Sequence, residues 1–416
     1  MSAEQTPAAS EDADRKSAGP LAGLLVADFS RVLAGPFATM LLGDLGAEVI
    51  KVERPGIGDD TRSWGPPFVN GESAYYLAVN RNKASVALDL KDQGDLAIAR
   101  ELCLAADILV ENFRPGTLSR LGLGYSDLES DNPGLIYCTI SGFGTTGPGA
   151  ELAGYDFLVQ AVGGLMSITG EEGGEPLKVG VAVVDVLTSL FATVGILSAL
   201  EARHRSGRGQ KVETNLLTSL LAALVNQAST FLTTGEVPRA LGNRHPSITP
   251  YETLHAADRP LVVAVGTDRQ FATFAGAIGA ATLAEDGRFV TNAARVANRR
   301  ELLALIEERL AERTAAAWVE ELTACGIPCG LVNGIDEAFA LARRLGLRPS
   351  LEIERSTGEE SVAQVANPIG LSATPVSYRS APPRLGEQAL RLRERFGVRV
   401  TRSREAAAGD DVDVDS

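Results

Sequence analysis

Leu24-Leu-Val-Ala-Asp-Phe-Ser-Arg-Val-Leu-Ala-Gly-Pro36 decides the fold class of this 416-residue chain. Leu24 to Phe29 is a short apolar run of the kind that forms a buried strand. Pro36 stands where a first helical turn tolerates proline, and the apolar run from it closes at Leu45-Gly46, so a helix is expected over 36–45. Glu48-Val-Ile-Lys-Val-Glu53 follows as a second strand. Strand, helix and strand in so short a span favour a parallel pair.

The alternation continues outward. Strands are expected at 85–90, 107–111, 135–140 and 211–215, with helices at 93–105, 156–165, 185–205 and 216–233. The helix over 185–205 carries Val186, Leu190, Val194 and Leu197 on one stripe, and Arg203, His204 and Arg205 at its negative end. The fold class is therefore α/β with a parallel sheet. Beyond Gly235 the composition changes. Residues 236–258 read as irregular, 261–265 as a strand, 269–278 and 299–325 as helices, and 327–332 as the return to the first domain. The expected division is a disordered leader at 1–19, a large domain at 20–234 and 327–400, a smaller α/β domain at 235–326, and a disordered acidic tail at 401–416.

Bulk properties narrow the function. A formal charge of −14, from 53 acids against 39 Lys and Arg, argues against nucleic acid as a partner. The cysteines Cys103, Cys138, Cys325 and Cys329 lack zinc-site spacing, and His204, His245 and His255 lack metal-ligand spacing, so no metal is expected. Free thiols suit a reducing, cytoplasmic setting. No stretch reads as long and apolar enough to span a membrane, and 1–19 has neither the basic start nor the apolar run of a secretory signal. A serine-hydrolase elbow is absent.

The first turn also argues against a nicotinamide cofactor. Glu53 ends the second strand where a ribose-binding acid would sit, but Ser30 to Pro36 lacks the glycines that let backbone amides approach a pyrophosphate. Arg54, Lys91, Arg114 and Arg120 instead occupy loop positions. A parallel sheet gathers its strand C-termini at one edge, where Arg54, Lys91 and Arg114 would suit a ligand with several phosphates. Asn112 and Phe113 add an amide and an aromatic face suited to a purine. Asp185, in Val179-Gly-Val-Ala-Val-Val-Asp185, opens the clearest helix, where the helix dipole would keep it ionised and available to a ligand.

Six segments taken in order resemble the family III CoA transferases. They are Phe29-Ser-Arg-Val-Leu-Ala-Gly-Pro36, Leu45-Gly-Ala-Glu-Val-Ile-Lys-Val-Glu-Arg-Pro55, Asn80-Arg-Asn-Lys83, Val110-Glu-Asn-Phe-Arg-Pro-Gly116, Gly154-Tyr-Asp156 and Gly207-Arg-Gly-Gln210. The resemblance runs from about Leu21 to about Gly397 and is closest to the succinate–hydroxymethylglutarate CoA transferases through Arg54 to Phe68. It implies a Rossmann-like large domain, a smaller domain and an interlocked homodimer. It implies coenzyme A thioester as substrate, with no permanently bound cofactor, and a small carboxylic acid as second partner. By the same resemblance Asp185 is the catalytic nucleophile. Val32, Leu33 and Ala34 pass beside CoA. Arg54, Leu88, Lys91, Asn112, Phe113, Arg114 and Arg120 hold its nucleotide end, and Tyr155 and Asp156 lie near the thioester. The free carboxylate of a dicarboxylic acyl group would meet Arg31, Arg62 or Arg244.

Two departures from the family pattern carry weight. The α-methylacyl-CoA racemases of this superfamily have a histidine acid/base at the position of Tyr155, and a tyrosine, with an ordinary pKa of about 10, is a poor base. Acyl transfer is thus favoured over racemisation, which stays as the alternative. Formyl-CoA transferase covers its site with a glycine run, whereas 242–252 here has none, which points away from formate and oxalate.

Overall fold

The computed structural model describes residues 19–397 apart from 357 and 359, so the expected acidic tail and all but the last residue of the expected leader lie outside it. The described chain forms two compact units. The first takes the chain up to Gly163, Gly180–Ser229 and the part from Arg348 onward; the second takes Gly164–Val179 and Thr230–Leu347.

The first unit is built on a six-stranded sheet of β1 (Leu25–Asp28), β2 (Glu48–Glu53), β3 (Lys83–Ala87), β4 (Ile108–Glu111), β5 (Ile136–Ser141) and β6 (Lys211–Asn215). Every neighbouring pair is parallel, in the order β3-β2-β1-β4-β5-β6. This is the doubly wound order, in which the chain reverses direction of growth between β1 and β4. Val26, Ile50 and Leu109 are wholly buried, as the near-continuous apolar runs of a parallel sheet covered on both faces require. Helix α1 (Ala34–Asp44) and helix α2 (Gln93–Ala105) are the first two crossovers named here; α2 is capped by Asp92, which accepts from Gly94 N and Asp95 N.

Helix α3 (Asp156–Val162) precedes the long helix α4 (Val183–Ser206). Two expectations about α4 are corrected. By length and composition it could cross a membrane, contrary to the sequence reading. One face of it is packed within the unit: Val184, Thr188, Ala192, Ile196 and Ala199 are buried, and α4 packs on α1, β5 and β6. The apolar stripe of Val186, Leu190, Val194 and Leu197 is not the buried face, since Leu190 and Val194 are exposed. Small residues (Thr188, Ser189, Ala192, Thr193, Ala199) predominate on the packed face beside Val184, Ile196 and Leu200, while Leu190, Phe191 and Val194 point outward. The helical run after β6 is also broken. Helices α5 (Leu216–Ala223) and α6 (Val225–Thr234) differ by 83° in direction, with Val225 at φ +40° in the junction.

The second unit holds an antiparallel sheet of β7 (Tyr251–His255), β8 (Pro260–Ala264) and β9 (Cys329–Leu331), with β8 central. Phe271, Phe274, Phe289, Ile306 and Leu322 fill its core. Strand β7 falls in the stretch expected to be irregular. Its alternate residues Glu252 and Leu254 are buried, a period-two pattern masked by the polar glutamate. Strand β9 pairs with β8, so 327–332 closes the second unit and the chain re-enters the first at Arg348. There a hairpin of β10 (Ser350–Glu354) and β11 (Ser361–Val365) is held by Arg81, whose Nη1 donates to Val365 O at 2.9 Å.

Candidate active site

Ligands of doubly wound sheets bind outside the strand C-termini, at the point where the order reverses. Here that point lies between the loops after β1 and β4, which are stitched together by one side chain. Asn112 Oδ1 accepts from Arg31 N at 2.8 Å and its Nδ2 donates to Arg31 O at 2.7 Å. Two hollows flank the stitch, and Arg31 and Phe113 line both. One, about 370 Å³, is lined by Arg54, Leu88, Lys91, Phe113 and Arg120. The other, about 180 Å³, is lined by Val32, Leu33, Ala34, Asn112, Arg114, Tyr155 and Asp185. Of the site residues expected from sequence, Asp156 lines neither, and nor do Arg62 and Arg244. A larger cavity, about 540 Å³, opens at the opposite edge beside Leu24, Glu48 and Lys83, where strands begin; the reversal point gives it no comparable standing.

Asp185 is the third residue of α4, not its cap. The helix start is closed instead by Asp156 from α3, whose Oδ1 accepts from Val184 N at 2.8 Å and Asp185 N at 3.2 Å. Gln160 Nε2 donates to its other oxygen at 2.6 Å. Asp185 is 9% exposed, and burial first, then the neighbouring Asp156 charge, push its carboxyl up to about 7. The expectation that the helix start keeps it ionised is therefore corrected. A shift from 3.8 to about 7 corresponds to about 4 kcal/mol. A helix N-terminus returns only about 0.3–1 kcal/mol to a carboxylate, so desolvation wins.

Sequence reasoning missed two features. Tyr75, half-buried, has its hydroxyl pushed up to about 12 by burial and then by Asp185 and Asp156, which places it in the field of both acids. Trp64 meets it edge-on with ring centroids 5.3 Å apart. No periodicity could single out Tyr75, because its helix spans only Ala74–Ala78. The second feature is a buried charge cluster beneath the loop after β1. Lys51 Nζ lies 2.9 Å from Asp59 Oδ2, and Lys83 Nζ 3.0 Å from Asp28 Oδ2, all four side chains fully buried. A lysine amid apolar strand residues was the available signal, at Lys51 in Glu48–Glu53.

The loop after β5 reaches the smaller hollow through Ser141 and Gly142. A Cβ on Gly142 would come within 2.5 Å of Gly154 Cα, so the two backbones can cross only as glycines.

With this geometry in place, comparison with known proteins is decisive. Residues 21–389 match the description of CoA-transferase family III. The chain belongs to that family. This family III CoA transferase is 44% identical over 375 residues to the mouse (Mus musculus) succinyl-CoA:glutarate CoA-transferase, covering 90% of this chain and 86% of the relative. It is 41% identical over 397 residues to the acetyl-CoA:oxalate CoA-transferase of Acetobacter aceti, covering 95% and 98%. A crystal structure of a CAIB/BAIF family protein from Brucella suis superposes with a TM-score of 0.81 at 42% identity, covering 91% of this chain and all of that one.

Among the cations expected to meet a second carboxylate, this transferase separates three cases. Arg62 is committed: its Nε and Nη2 donate to the two oxygens of Glu53 at 2.8 and 2.7 Å. That pairing also removes Glu53 from any role toward a ribose. Arg244, in the second unit, pairs with Glu172. Arg31 lines both hollows, 3.1 Å from Asp60 and with its guanidinium 5.2 Å from the Phe113 ring centre. The stretch without the glycine run is pinned inside the second unit, where Arg299 Nη2 donates to His245 O and Ile248 O.

Proposed function

We propose that the protein moves coenzyme A from a dicarboxylic acyl-CoA, of the succinyl-CoA kind, to a carboxylic acid, with Asp185 as nucleophile. The observation that carries this reading is a buried acid at the wall of one hollow, adjoining a second hollow rimmed by Arg54, Lys91 and Arg120. The cations suit the phosphates of CoA, Phe113 suits its purine, and the arm then reaches Asp185 past Val32, Leu33 and Ala34. Tyr155 borders the thioester, and Asp156 acts by closing the start of α4.

Asp185 first gives its proton to solvent. Its carboxylate attacks the thioester carbonyl, expelling CoA thiolate and leaving an aspartyl–acyl anhydride. The thiolate attacks the aspartyl carbonyl, releasing the donor acid and leaving an aspartyl-CoA thioester. The acceptor carboxylate attacks that thioester, CoA thiolate leaves again, and a second anhydride forms. Thiolate attack on the acceptor carbonyl of this anhydride frees the new acyl-CoA and restores Asp185. Thioester is exchanged for thioester, so no external energy source enters. Amides of the loop after β5, where Ser141 and Gly142 line the smaller hollow, are the donors proposed for the oxyanions. Arg31 is the partner proposed for the donor's free carboxylate.

The second copy in an interlocked homodimer is proposed to cover the apolar side chains that the single chain leaves exposed, Phe157 and Val162 on α3 with Leu190 and Val194 on α4. A cytoplasmic setting is proposed from the four free thiols. Oxalate belongs among the acceptors to be tested, given the Acetobacter relative's name; lack of a glycine run does not decide the matter. One observation favours a second reading: a carboxyl lifted to about 7 suits general acid/base work, as in racemisation of a 2-methylacyl-CoA. Incubation with succinyl-CoA and a panel of mono- and dicarboxylic acids separates the two. New thioesters by mass support transfer. Solvent deuterium entering next to the thioester without an acceptor supports racemisation.

A further inference from the structure

Five backbone polar groups of the loop from Ser30 to Val32 are held by side chains, all of them buried except the half-buried Asn112. Asp28 Oδ1 accepts from Ser30 N at 2.9 Å and from Ser30 Oγ at 2.5 Å. Lys51 Nζ donates to Ser30 O at 2.9 Å, and Asn112 ties both polar groups of Arg31. Asp59 Oδ1 accepts from Val32 N at 3.3 Å, while its other oxygen meets Lys51. Asp59 is itself fixed, because Thr61 N and Oγ1 donate to the same Oδ1 and Glu53 Oε2 accepts from Asp59 N.

What is held is strained. Val32 has φ +68°, the left-handed region that a β-branched residue avoids. A glycine would take it without cost, yet this chain has valine there. Two residues on, Ala34 O accepts from Ser189 Oγ at 2.6 Å, and the same hydroxyl lies 2.7 Å from Asp185 O. The loop and the first turns of α4 thus share a hydroxyl. Side chains as expensive to bury as Lys51 and Asp59 are retained where a hydrophobic pair could fill the same space.

We infer that the buried Lys51–Asp59 pair is a positioning device: it holds Val32 in its strained conformation so that the 32–34 backbone meets the thioester at the Asp185 carboxylate. This rests on the reading of Asp185 as nucleophile, but the two fail separately, because the variants below keep Asp185. Lys51 and Asp59 lie in the wall of the larger hollow, but their side chains are fully buried, so their effect on the reaction is exerted through Val32.

The test compares Asp59→Ala, the paired Lys51→Met/Asp59→Leu variant, and each with Val32→Gly added. Turnover, KM for succinyl-CoA, CoA affinity by calorimetry, melting temperature and amide exchange over 30–34 are read for each. Losing the clamp should lower kcat by about a hundredfold, the scale of a misplaced reacting group, with CoA affinity unchanged and faster exchange at the Val32 amide. Val32→Gly should recover about tenfold of that loss, the scale of the left-handed penalty it removes, without raising the melting temperature. A merely structural pair would show no such rescue. If Asp59→Ala does not fold, the Lys51→Met/Asp59→Leu chain, with no unpaired charge, gives the same reading. Wild-type kcat in that chain, or a kcat loss that Val32→Gly leaves untouched, overturns the inference.

Discussion

Two sets of buried carboxylates lie close together in the first unit and behave in opposite ways. Asp28 is fully buried, which alone would raise its pKa, but Lys83 and Lys51 beside it bring it down to about 2. Burial acts the same way on Asp59 and Glu53, and there too nearby cations, Lys51 for one and Arg62 for the other, hold the carboxyl below its ordinary value. Asp185 is also buried, yet its neighbour is Asp156, and it is lifted to about 7. Burial is shared; the placement of cations is not. The scaffold spends its cations under the loop and leaves Asp185 without one among the described residues, so its carboxylate is costly to ionise and reactive once ionised. Lys83 shows how tight the scaffold pairing is. Burial lowers it to about 8 despite Asp28, but Nζ donates to Asp28 Oδ2, Pro36 O and Asn80 Oδ1, which needs all three protons of the ammonium form.

The largest effect is expected at Asp185. Replacing it with Ala should lower turnover by about ten-thousandfold or more, with CoA affinity measured by calorimetry unchanged. Asp28→Ala leaves Lys83 charged and buried and should cost about 3–5 kcal/mol of stability in chemical denaturation. Asp185→Asn should act in the other direction. Because the folded value is raised above 3.8, the native state holds its proton across the window from about 4 to about 7, and stability is lost as pH rises through that window. The Asn variant escapes the loss and should be more stable than the wild type by up to about 4 kcal/mol near pH 8, and equal to it near pH 3. In the wild type, kcat/KM should rise with pH around a midpoint of about 7, and Asp156→Asn should move that midpoint down. The smallest effects belong to the exposed rim. Lys91→Ala or Arg120→Ala should raise KM for acyl-CoA by about fivefold, less at high salt, as for solvent-exposed ion pairs worth up to about 1 kcal/mol.

Much of the first unit is legible in the chain. The strands at Glu48–Glu53 and Lys211–Asn215 and the helix at Gln93–Ala105 stand where the apolar period and the flanking turn residues put them. Arg54, Lys91 and Arg114 could be assigned to one sheet edge because a parallel sheet gathers its strand C-termini there, but that the loops after β1 and β4 are neighbours follows only from the strand order. Three things were not legible, each for a physical reason. The buried face of α4 mixes Thr, Ser and Ala with Val184, Ile196 and Leu200, so the large apolar residues of the exposed face, Leu190 and Val194, gave the stronger signal. Lys83 of β3 is buried against Asp28 on β1 and Lys51 of β2 against Asp59 in the loop that follows it, pairings that no strand or helix period reveals. The protonation of Asp185 follows from its depth and from Asp156, twenty-nine residues earlier, rather than from its place at a helix start.

The central claim is that Asp185 carries first an acyl group and then CoA on its own carboxyl. The protein should be incubated with succinyl-CoA, quenched with hydroxylamine, digested, and the peptide containing Val183 to Ser189 read by tandem mass spectrometry. The account predicts an aspartyl hydroxamate at Asp185, formed only when acyl-CoA is present. An unmodified Asp185 in enzyme that is turning over, or a hydroxamate at another acid, would contradict it.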